Sequence, residues 1–345
     1  MKRIGYVWEE LTSIENCQDA VLSALKDKKK NKTIVHIREH YKEYGERLQK
    51  ELINGWHPDP IRKKTINEGT DRKERELRIP SLKDHFVQTA VTKILEKHLP
   101  KRFYFFACGS LPNRGQTFAV KALEHNLRTK KPKYALCADV KKFYKSLKKD
   151  VVMRCLQKVF KDEKFLQLNE QILEQMGDGL AIGFAVSHWY AHLVLSFVDT
   201  AIKSNNRKVF LVRFMDNFVI TCGRKRTLHK IVRSLFSVLA RYGLTLKSDW
   251  QVFPIAKRSI EFLSYRMNHV KTVLRKQLMY RMARRFKKAK NCMNAHTARV
   301  IMSYRGILKH CDSYHFRGTY LYPNVSIKLC KELISNDDKR YALCR

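Results

Sequence analysis

Residues 209–222 (VFLVRFMDNFVITC) constrain the possible folds of this chain more than any other stretch. Two apolar, β-branched runs flank the polar tip Asp216-Asn217, and this pattern predicts a β-hairpin with a carboxylate at its turn. Asp and Asn are common at tight turns because they tolerate left-handed backbone and hydrogen-bond their own main chain. Turn chemistry alone therefore explains the tip, and a functional interpretation requires a second feature.

A second acidic stretch lies upstream, at 134–147 (YALCADVKKFYKSL). Its apolar start predicts a strand that ends on Asp139, after which the sequence becomes basic and helical. Two separate strands thus each carry one aspartate. Carboxylates from neighbouring strands can hold a pair of Mg2+ ions roughly 3.5 to 4 Å apart, which stabilises the attacking and leaving oxygens in phosphoryl transfer. The two stretches together indicate polymerase chemistry.

The net charge limits the class of partner. The 345 residues include 70 Lys and Arg against 32 Asp and Glu, which gives a formal net charge of +38. These charges are spread along the chain, and a polyanion is the simplest partner for them. Nucleic acid is the stronger candidate, and an anionic membrane surface is the weaker one.

The acidic stretches resemble those of the reverse transcriptases. Residues 139–147, an aspartate followed by an aromatic pair and Ser-Leu, resemble motif A of that family, and 214–217 (FMDN) resembles its tyrosine-x-aspartate-aspartate box. The resemblance implies an α+β right-hand polymerase with fingers, a palm whose antiparallel sheet is backed by helices, and a helical thumb. It implies N-terminal helices and fingers at 1–133, a palm at 134–268 with fingers/palm helices at 148–178, and a thumb at 269–345.

The same resemblance implies which residues carry the reaction. The catalytic candidates are Asp139, Asp216, Asn217 and Lys247, and two Mg2+ would be held by Asp139, Val140, Asp216 and Asn217. Lys247 stands where relatives carry a lysine near the leaving pyrophosphate. Asn217 departs from the family pattern, because a neutral amide offers an oxygen to a metal but removes one negative charge from the site. Three explanations stay open: a natural variant that works, an engineered substitution that traps a complex, and an inactive relative that serves as an RNA-binding scaffold.

Candidate nucleotide-binding residues come from separate segments. The basic region 61–79 predicts a hairpin that resembles the family's fingers hairpin, in which Lys73 and Arg75 would grip the incoming triphosphate. A planar guanidinium suits phosphate because it donates two parallel bonds. Gln88 matches the glutamine of the next motif, and Tyr144 matches an aromatic residue that closes against the sugar 2′ position and so favours deoxynucleotides. The alternatives are an ordinary hairpin and a half-buried aromatic at a strand end.

The heptad 182–188 (IGFAVSH) is informative about the subfamily. Most reverse transcriptases carry Gln-Gly here and end Ser-Pro, whereas those of diversity-generating retroelements carry an aliphatic residue before the Gly and usually end Ser-Gln. Ile182, Gly183 and Ser187 follow the second pattern, and His188 departs from it. An apolar Ile182 against the nascent base pair forfeits a polar contact that would align the substrate, so discrimination loosens. An aliphatic turn residue that fills the core is the alternative interpretation.

The subfamily resemblance implies error-prone cDNA synthesis from a template-repeat RNA, with errors directed at template adenines, as in mutagenic retrohoming. It also implies dNTP substrates, an RNA/cDNA duplex and a ribonucleoprotein with a small helical accessory variability protein. A bacterial or phage-encoded protein in the cytoplasm is expected. The alternatives are a group II intron or retron-like reverse transcriptase, and a catalytically disabled RNA-binding scaffold.

Candidate nucleic-acid contacts lie in three further segments. Arg114 belongs to an Asn-Arg-Gly turn that the family places against the template strand. The segment 260–267 (IEFLSYRM) resembles the primer-grip hairpin, with Phe262 and Leu263 at its centre and Ser264 in place of the usual Gly. A predicted thumb helix at 275–290 places apolar residues on one face and phosphate-binding cations on the other. These cations include Arg281, Arg284, Arg285 and Lys288.

Membrane insertion and structural zinc are not predicted. The longest uncharged stretch, 179–198, could span a bilayer in length, but its His and Ser residues favour a buried core helix after a Gly-rich turn. No secretory signal is recognised at the start. The nine cysteines are scattered, which suits a reducing compartment and no zinc ribbon. Helical spacing predicts further helices at 9–25, 34–53, 82–99, 117–129 and 227–242.

Overall fold

The first third of the chain consists of helices and one long β-hairpin. The computed structural model describes residues 2–26, 28, 31–68 and 73–343, and a few side chains within these ranges, that of Lys73 among them, lie outside the description. The helices are α1 (Val7–Leu11), α2 (Ile14–Leu25), α3 (Lys32–Glu39), α4 (Tyr41–Asn54) and α5 (Leu82–His98).

Two of the predicted helices are divided. The helix expected at 9–25 is interrupted because the Ser13 side chain accepts a hydrogen bond from the Asn16 amide and starts α2 afresh. Thr12 ends α1 by donating its hydroxyl to the Trp8 carbonyl, at 2.9 Å. The helix expected at 34–53 is divided at His40, between α3 and α4. At Ser13, local capping thus overrides a continuous apolar periodicity.

The fingers hairpin is confirmed as an antiparallel pair. Strands β1 (Arg62–Glu68) and β2 (Lys73–Ile79) pair from Arg62 opposite Ile79 to Glu68 opposite Lys73. The base of the hairpin is attached to the turn at 182, where the Arg78 amide donates to the Ile182 carbonyl at 2.9 Å. Residues of the fingers and of the later Gly-rich turn are therefore neighbours.

A five-stranded sheet forms the centre of the molecule, in the order β3-β5-β6-β4-β7. Its strands are β3 (Ala107–Cys108), β4 (Tyr134–Asp139), β5 (Phe210–Phe214), β6 (Asn217–Cys222) and β7 (Gln251–Pro254). The edge pair β3 and β5 is parallel, and the other pairs are antiparallel. The hairpin predicted at 209–222 is the β5-β6 pair, so the polar tip lies at one end of the central strands.

Side chains of the central strands alternate between the two faces of the sheet and contribute to two hydrophobic cores. Leu211 and Ile220 point into the first core, and Val212 and Val219 into the second. The first core is formed with α10 (Ser187–Asn205) and α11 (Lys225–Ala240), and the second with α6 (Gln116–Lys130) and the C-terminal helices. The uncharged stretch thus becomes a buried core helix, and no helix among the described residues is long and apolar enough to cross a membrane.

The first core also joins the palm to the N-terminal helices through three intervening helices. These are the short α7 (Phe143–Ser146), α8 (Lys149–Val159) and α9 (Glu163–Met176). Phe165 of α9 and Leu156 of α8 are fully buried in the same cluster as Leu11 of α1. Fingers and palm therefore share one core, and the predicted division of the chain at 133 stays a prediction.

The C-terminal part packs on the second core. A small sheet ordered β10-β9-β8 precedes a set of helices. Its strands are β8 (Ile260–Phe262), β9 (Tyr265–Met267) and β10 (Thr272–Leu274), and the helices are α12 (Lys276–Asn291), α13 (Ala295–Leu308), α14 (Tyr314–Phe316) and α15 (Ile327–Leu343). A short π-helical turn, Arg317–Leu321, follows α14. Helix α12 buries Met282 and Phe286 and exposes its cations.

Candidate active site

Pairing of β4 with β6 brings the two acidic stretches together. Asp139, the last residue of β4, lies directly opposite Asn217, the first residue of β6. The Val140 amide donates to the Asp216 carbonyl at 3.3 Å. The aspartates therefore come from neighbouring strands at one end of the sheet, as the sequence pattern predicts.

The backbone of the turn that carries Asp216 differs from the expectation that an Asp or Asn takes the left-handed position. The left-handed residue is Met215, with φ of 52°, and neither Asp216 nor Asn217 adopts positive φ. The Met215 amide donates to the Cys108 carbonyl at 2.9 Å. Gly109 packs so closely that a Cβ placed there would lie 2.9 Å from the Met215 Cγ. Neighbouring backbone thus holds an unfavourable conformation that turn propensity does not select.

A buried ion pair supports this turn from the α10 side of the sheet. Arg213 donates from Nε to Asp199 Oδ1 at 2.8 Å and from Nη2 to Asp199 Oδ2 at 2.6 Å, and both side chains have zero exposure. Arg213 Nη1 also donates to the Met215 carbonyl, at 2.7 Å. Sequence reasoning missed this pair, although an acid within an apolar helix and an arginine within an apolar strand were the available signal.

The electrostatics of the site favour a bound cation. Burial first, and then the neighbouring Asp139 carboxylate, raise the pKa of Asp216 to about 6, while the positive charge of Lys247 opposes the shift. Lys247 Nζ lies 2.9 Å from Asp139 Oδ2, and the Lys247 amide donates to the Asp139 carbonyl at 2.8 Å. Asp139 Oδ1 is buried and has no hydrogen-bond partner among the described residues. Two crowded carboxylates and one unpartnered acceptor fit oxygen-liganded metal ions.

Asn217 weakens this site as a metal centre. No cluster of three or more His, Cys, Asp or Glu capable of holding a metal occurs in the part of the chain that the structure describes. The third side chain at the strand ends is the Asn217 amide, which contributes an oxygen without a charge. Val140 is buried and apolar, so only its backbone carbonyl could serve as a ligand.

Tyr144 lies between the acidic pair and the fingers. Burial first, and then the negative charge of Asp216, raise the pKa of the Tyr144 hydroxyl to about 12, while the positive charge of Arg75 opposes the shift. Its hydroxyl is therefore within electrostatic reach of both residues. The Leu180 amide donates to the Tyr144 carbonyl at 2.8 Å. Lys73 begins β2, but its side chain lies outside the described part of the chain.

Gln88 joins the same neighbourhood from α5. Its side chain is fully buried, and Oε1 accepts from the Ala185 amide at 3.1 Å. Its Nε2 has no partner among the described residues. Gly183 has φ of 115°, and a Cβ there would lie 2.3 Å from the Arg78 carbonyl oxygen. Ile182 is half-buried beside it. Gln88 thus lies beside the turn that holds Ile182 and Gly183, and this turn contacts the base of the fingers hairpin.

The predicted nucleic-acid contacts behave differently from one another. Arg114 donates from Nη1 to the Tyr104 carbonyl at 3.2 Å and lies over the exposed Phe105 ring, 5.5 Å from its centroid. Leu263 forms the tip of the β8-β9 turn with φ of 53°. The role of Phe262 in nucleic-acid binding stays a prediction, and its side chain has zero exposure inside the second core. Alternation in the strand directs it to the core.

The thumb cations lie where the sequence predicts them. Arg281, Arg284, Arg285 and Lys288 are exposed on α12, on the side opposite Met282 and Phe286. The Gln116 side chain of α6 donates to the Ser264 hydroxyl at 2.8 Å, which ties the β8-β9 turn to the palm. Contact of these cations with a duplex stays a prediction.

Comparisons with known proteins agree with this architecture. A family model described as reverse transcriptase (RNA-dependent DNA polymerase) matches residues 61–267. The structure of telomerase from Candida albicans in complex with a TWJ fragment of telomeric RNA is similar, with 12% identity, 80% of this chain and 61% of that chain covered, and a TM-score of 0.51. Apo telomerase from Candida tropicalis, truncated from the C-terminal domain, gives 13% identity, 64% and 56% coverage, and a TM-score of 0.49.

The chain spans 56 to 61% of the length of the two telomerase chains, and no curated protein matches the sequence. The expected α+β right-hand polymerase fold is confirmed.

Proposed function

Because the chain belongs to the reverse transcriptase (RNA-dependent DNA polymerase) family, we propose that it copies an RNA template into DNA by adding deoxynucleotides to a primer. The observation that carries the proposal is the meeting of Asp139 and Asp216 at the strand ends, where one oxygen of Asp139 is buried without a hydrogen-bond partner among the described residues. Burial and crowding raise the pKa of Asp216, so a cation that relieves the crowding binds favourably.

The residues present fit two Mg2+ ions. Asp139 and Asp216 would hold them, with the Asn217 amide oxygen and the Val140 carbonyl as further ligands. When bound, the ions supply charge stabilisation to the attacking and leaving oxygens of nucleotidyl transfer. Lys247 lies next to Asp139 and would give a proton, or its charge, to the leaving pyrophosphate.

The remaining cleft residues would bind and select the nucleotide. Arg75, with Lys73 beside it, would hold the triphosphate, because a guanidinium matches phosphate oxygens in a bidentate geometry. Tyr144 would pack against the sugar and disfavour a 2′-hydroxyl. Gln88 is fully buried and would support this region through the hydrogen bond that its Oε1 accepts from the Ala185 amide.

A primer-extension assay tests the proposal and the role of Asn217 together. The protein, Asn217→Asp and Asp139→Ala are compared on an RNA template with dNTPs and Mg2+. We expect extension by the protein, faster extension by Asn217→Asp, and a loss of about 100-fold or more in Asp139→Ala, since metal charge stabilisation is worth several kcal/mol. If only Asn217→Asp extends the primer, the protein is a polymerase that the amide at position 217 inactivates.

The second candidate is an RNA-binding scaffold, and the observation that favours it is the missing charge at Asn217. This candidate predicts no extension by any of the three proteins, even with native RNA and the accessory protein present. Binding of RNA does not separate the two candidates, because both bind a polyanion. Extension by the protein therefore decides against the scaffold.

Within the family, we propose membership of the diversity-generating retroelement type. Ile182, the aliphatic residue before Gly183, supports this assignment, and the assignment carries with it a template-repeat RNA and a small helical accessory variability protein in a ribonucleoprotein. The cDNA from the extension assay is sequenced for the protein and for Ile182→Gln. We expect errors concentrated at template adenines that decrease in Ile182→Gln, and an unchanged error pattern would remove Ile182 as their cause. An even spread of errors would favour a group II intron or retron-like enzyme.

A further inference from the structure

The outer face of α11 carries a concentration of positive charge. The helix buries Leu228, Leu235 and Leu239 against the sheet. Six exposed cations lie along its solvent side or at its ends, and we call this set the basic face of α11: Arg224, Lys225, Arg226, Lys230, Arg233 and Arg241. No acidic residue occurs between Asp216 and Asp249. The helix therefore presents charge of one sign only.

This charge is uncompensated within the described part of the chain. None of the six cations forms an ion pair with any described residue, whereas lysines of the N-terminal helices pair with Asp19 and Glu51. Like charges four residues apart, such as Arg226 and Lys230, destabilise a helix. A polyanion that neutralises them relieves this repulsion, so the arrangement favours an external anionic partner.

Aromatic side chains accompany the cations. Phe236 is 39% exposed on the same helix, and the Trp250 ring lies 6.3 Å from the Phe236 ring and 6.4 Å from the His229 ring. At the other end, Tyr242 stacks on Phe197 at 6.4 Å. Cations beside aromatic rings are the composition of surfaces that bind nucleic acid, where phosphates contact the charges and bases stack on the rings.

A neighbouring helix extends the surface. Arg154 of α8 and Arg241 both lie near the Tyr242 hydroxyl, where their positive charges oppose the rise in its pKa that burial causes. Arg154 also pairs with Asp150 at 3.3 Å, so the extension is partly neutralised. Helix α11 itself contributes about 24 Å of length at 1.5 Å per residue. The surface is long enough for several successive phosphates.

We infer that the basic face of α11 binds the backbone of a structured RNA outside the primer-template cleft. Helix α11 covers the sheet face opposite the one on which the thumb packs, so one molecule can hold both ligands. Four of the six cations are arginines, whose guanidinium groups suit phosphate, and the adjacent rings suit bases; both features favour RNA over an acidic protein or a membrane. The inference goes beyond polymerisation and does not depend on catalysis.

The test uses the full chain with its cleft occupied. A 30-base-pair RNA hairpin is titrated into protein saturated with a short primer-template, and Kd is measured at several KCl concentrations. The test variant combines Arg226→Gln, Lys230→Gln and Arg233→Gln. A control removes three exposed cations elsewhere that form no ion pair with any described residue: Lys42→Gln, Lys50→Gln and Lys101→Gln. Thermal melting verifies that both variants fold.

We expect the hairpin to bind beside the primer-template, and the slope of log K against log salt to become shallower by about 2 to 3 in the test variant only. Displacement of the hairpin by primer-template, or equal effects in test and control variants, would overturn the inference. Anionic lipid vesicles and polyglutamate are titrated as alternative ligands. If the test variant loses binding to either of them but binds the hairpin as the original protein does, the inference is also overturned. Asp139→Ala separates this inference from the proposed function, because it would lose extension and retain hairpin binding.

Discussion

At the level of single residues, we expect Arg213 to be sensitive to substitution because it neutralises the buried Asp199. Arg213→Met leaves Asp199 charged and buried, and we expect a loss of about 3 to 5 kcal/mol in the free energy of unfolding. The double variant Arg213→Met with Asp199→Leu removes both charges and should recover most of that stability. Urea denaturation measures the difference.

The same variants separate stability from positioning. The double variant still lacks the hydrogen bond to the Met215 carbonyl, so we expect its kcat to stay low while the KM for dNTP changes little. Arg213→Lys should retain part of kcat, because it keeps a donor and the charge. A double variant with full kcat would show that the pair acts only on stability.

Asp216 should give the site a pH dependence. Its pKa is raised to about 6 by burial first and then by Asp139, so the folded protein binds more protons than the unfolded chain between roughly pH 4 and 6. The contribution of Asp216 to stability without metal is therefore lost as pH rises through that window. Mg2+ requires the charged form, so its affinity should rise from pH 5 to pH 7.5.

Calorimetric titration of Mg2+ at the two pH values measures this effect. Asp216→Asn serves as the control, because an amide does not titrate, and its stability without Mg2+ should be flatter with pH between 4 and 6. Equal Mg2+ affinity at pH 5 and pH 7.5 would contradict the assigned pKa.

At the level of elements, the junction of the fingers hairpin with the 182 turn depends on a glycine. Gly183→Ala adds a Cβ 2.3 Å from the Arg78 carbonyl oxygen at φ of 115°, and we expect a loss of about 1 to 3 kcal/mol together with a higher KM for dNTP. Gly306→Ala, in open space within α13, should instead gain about 0.5 to 1 kcal/mol. Thermal melting of both variants makes the comparison, and equal changes would argue against a strained junction.

At the level of the whole molecule, the net charge of +38 should make all RNA binding depend strongly on salt. If α12 lies along a duplex, combining Arg284→Gln, Arg285→Gln and Lys288→Gln should reduce the salt slope of primer-template binding by about 2 to 3, at roughly 0.9 per phosphate contact. The Lys42, Lys50 and Lys101 control variant should bind the duplex with the original slope. A normal slope in the α12 variant would place the duplex elsewhere.

Local sequence patterns predict most of the helices and strands, and they predict the two aspartates of the candidate site. The β5-β6 hairpin, the strand ending on Asp139 and the apolar face of α11 follow from periodicities of two and 3.6 residues. The break at Ser13 does not follow from these periodicities, because the cap that causes it contributes only about 1 kcal/mol and leaves the apolar spacing unchanged.

The sequence by itself determined the residue types, their spacing along each element and the charge, and therefore the two aspartates at strand ends and the cations of α12. Only the tertiary structure decided which side chains meet. It paired Arg213 with Asp199, gave Met215 the left-handed turn position, buried Phe262 and left Gln88 Nε2 without a partner among the described residues. The physical reason is that periodicity and propensity act within a few residues, whereas these contacts join segments distant in sequence and depend on how whole elements pack.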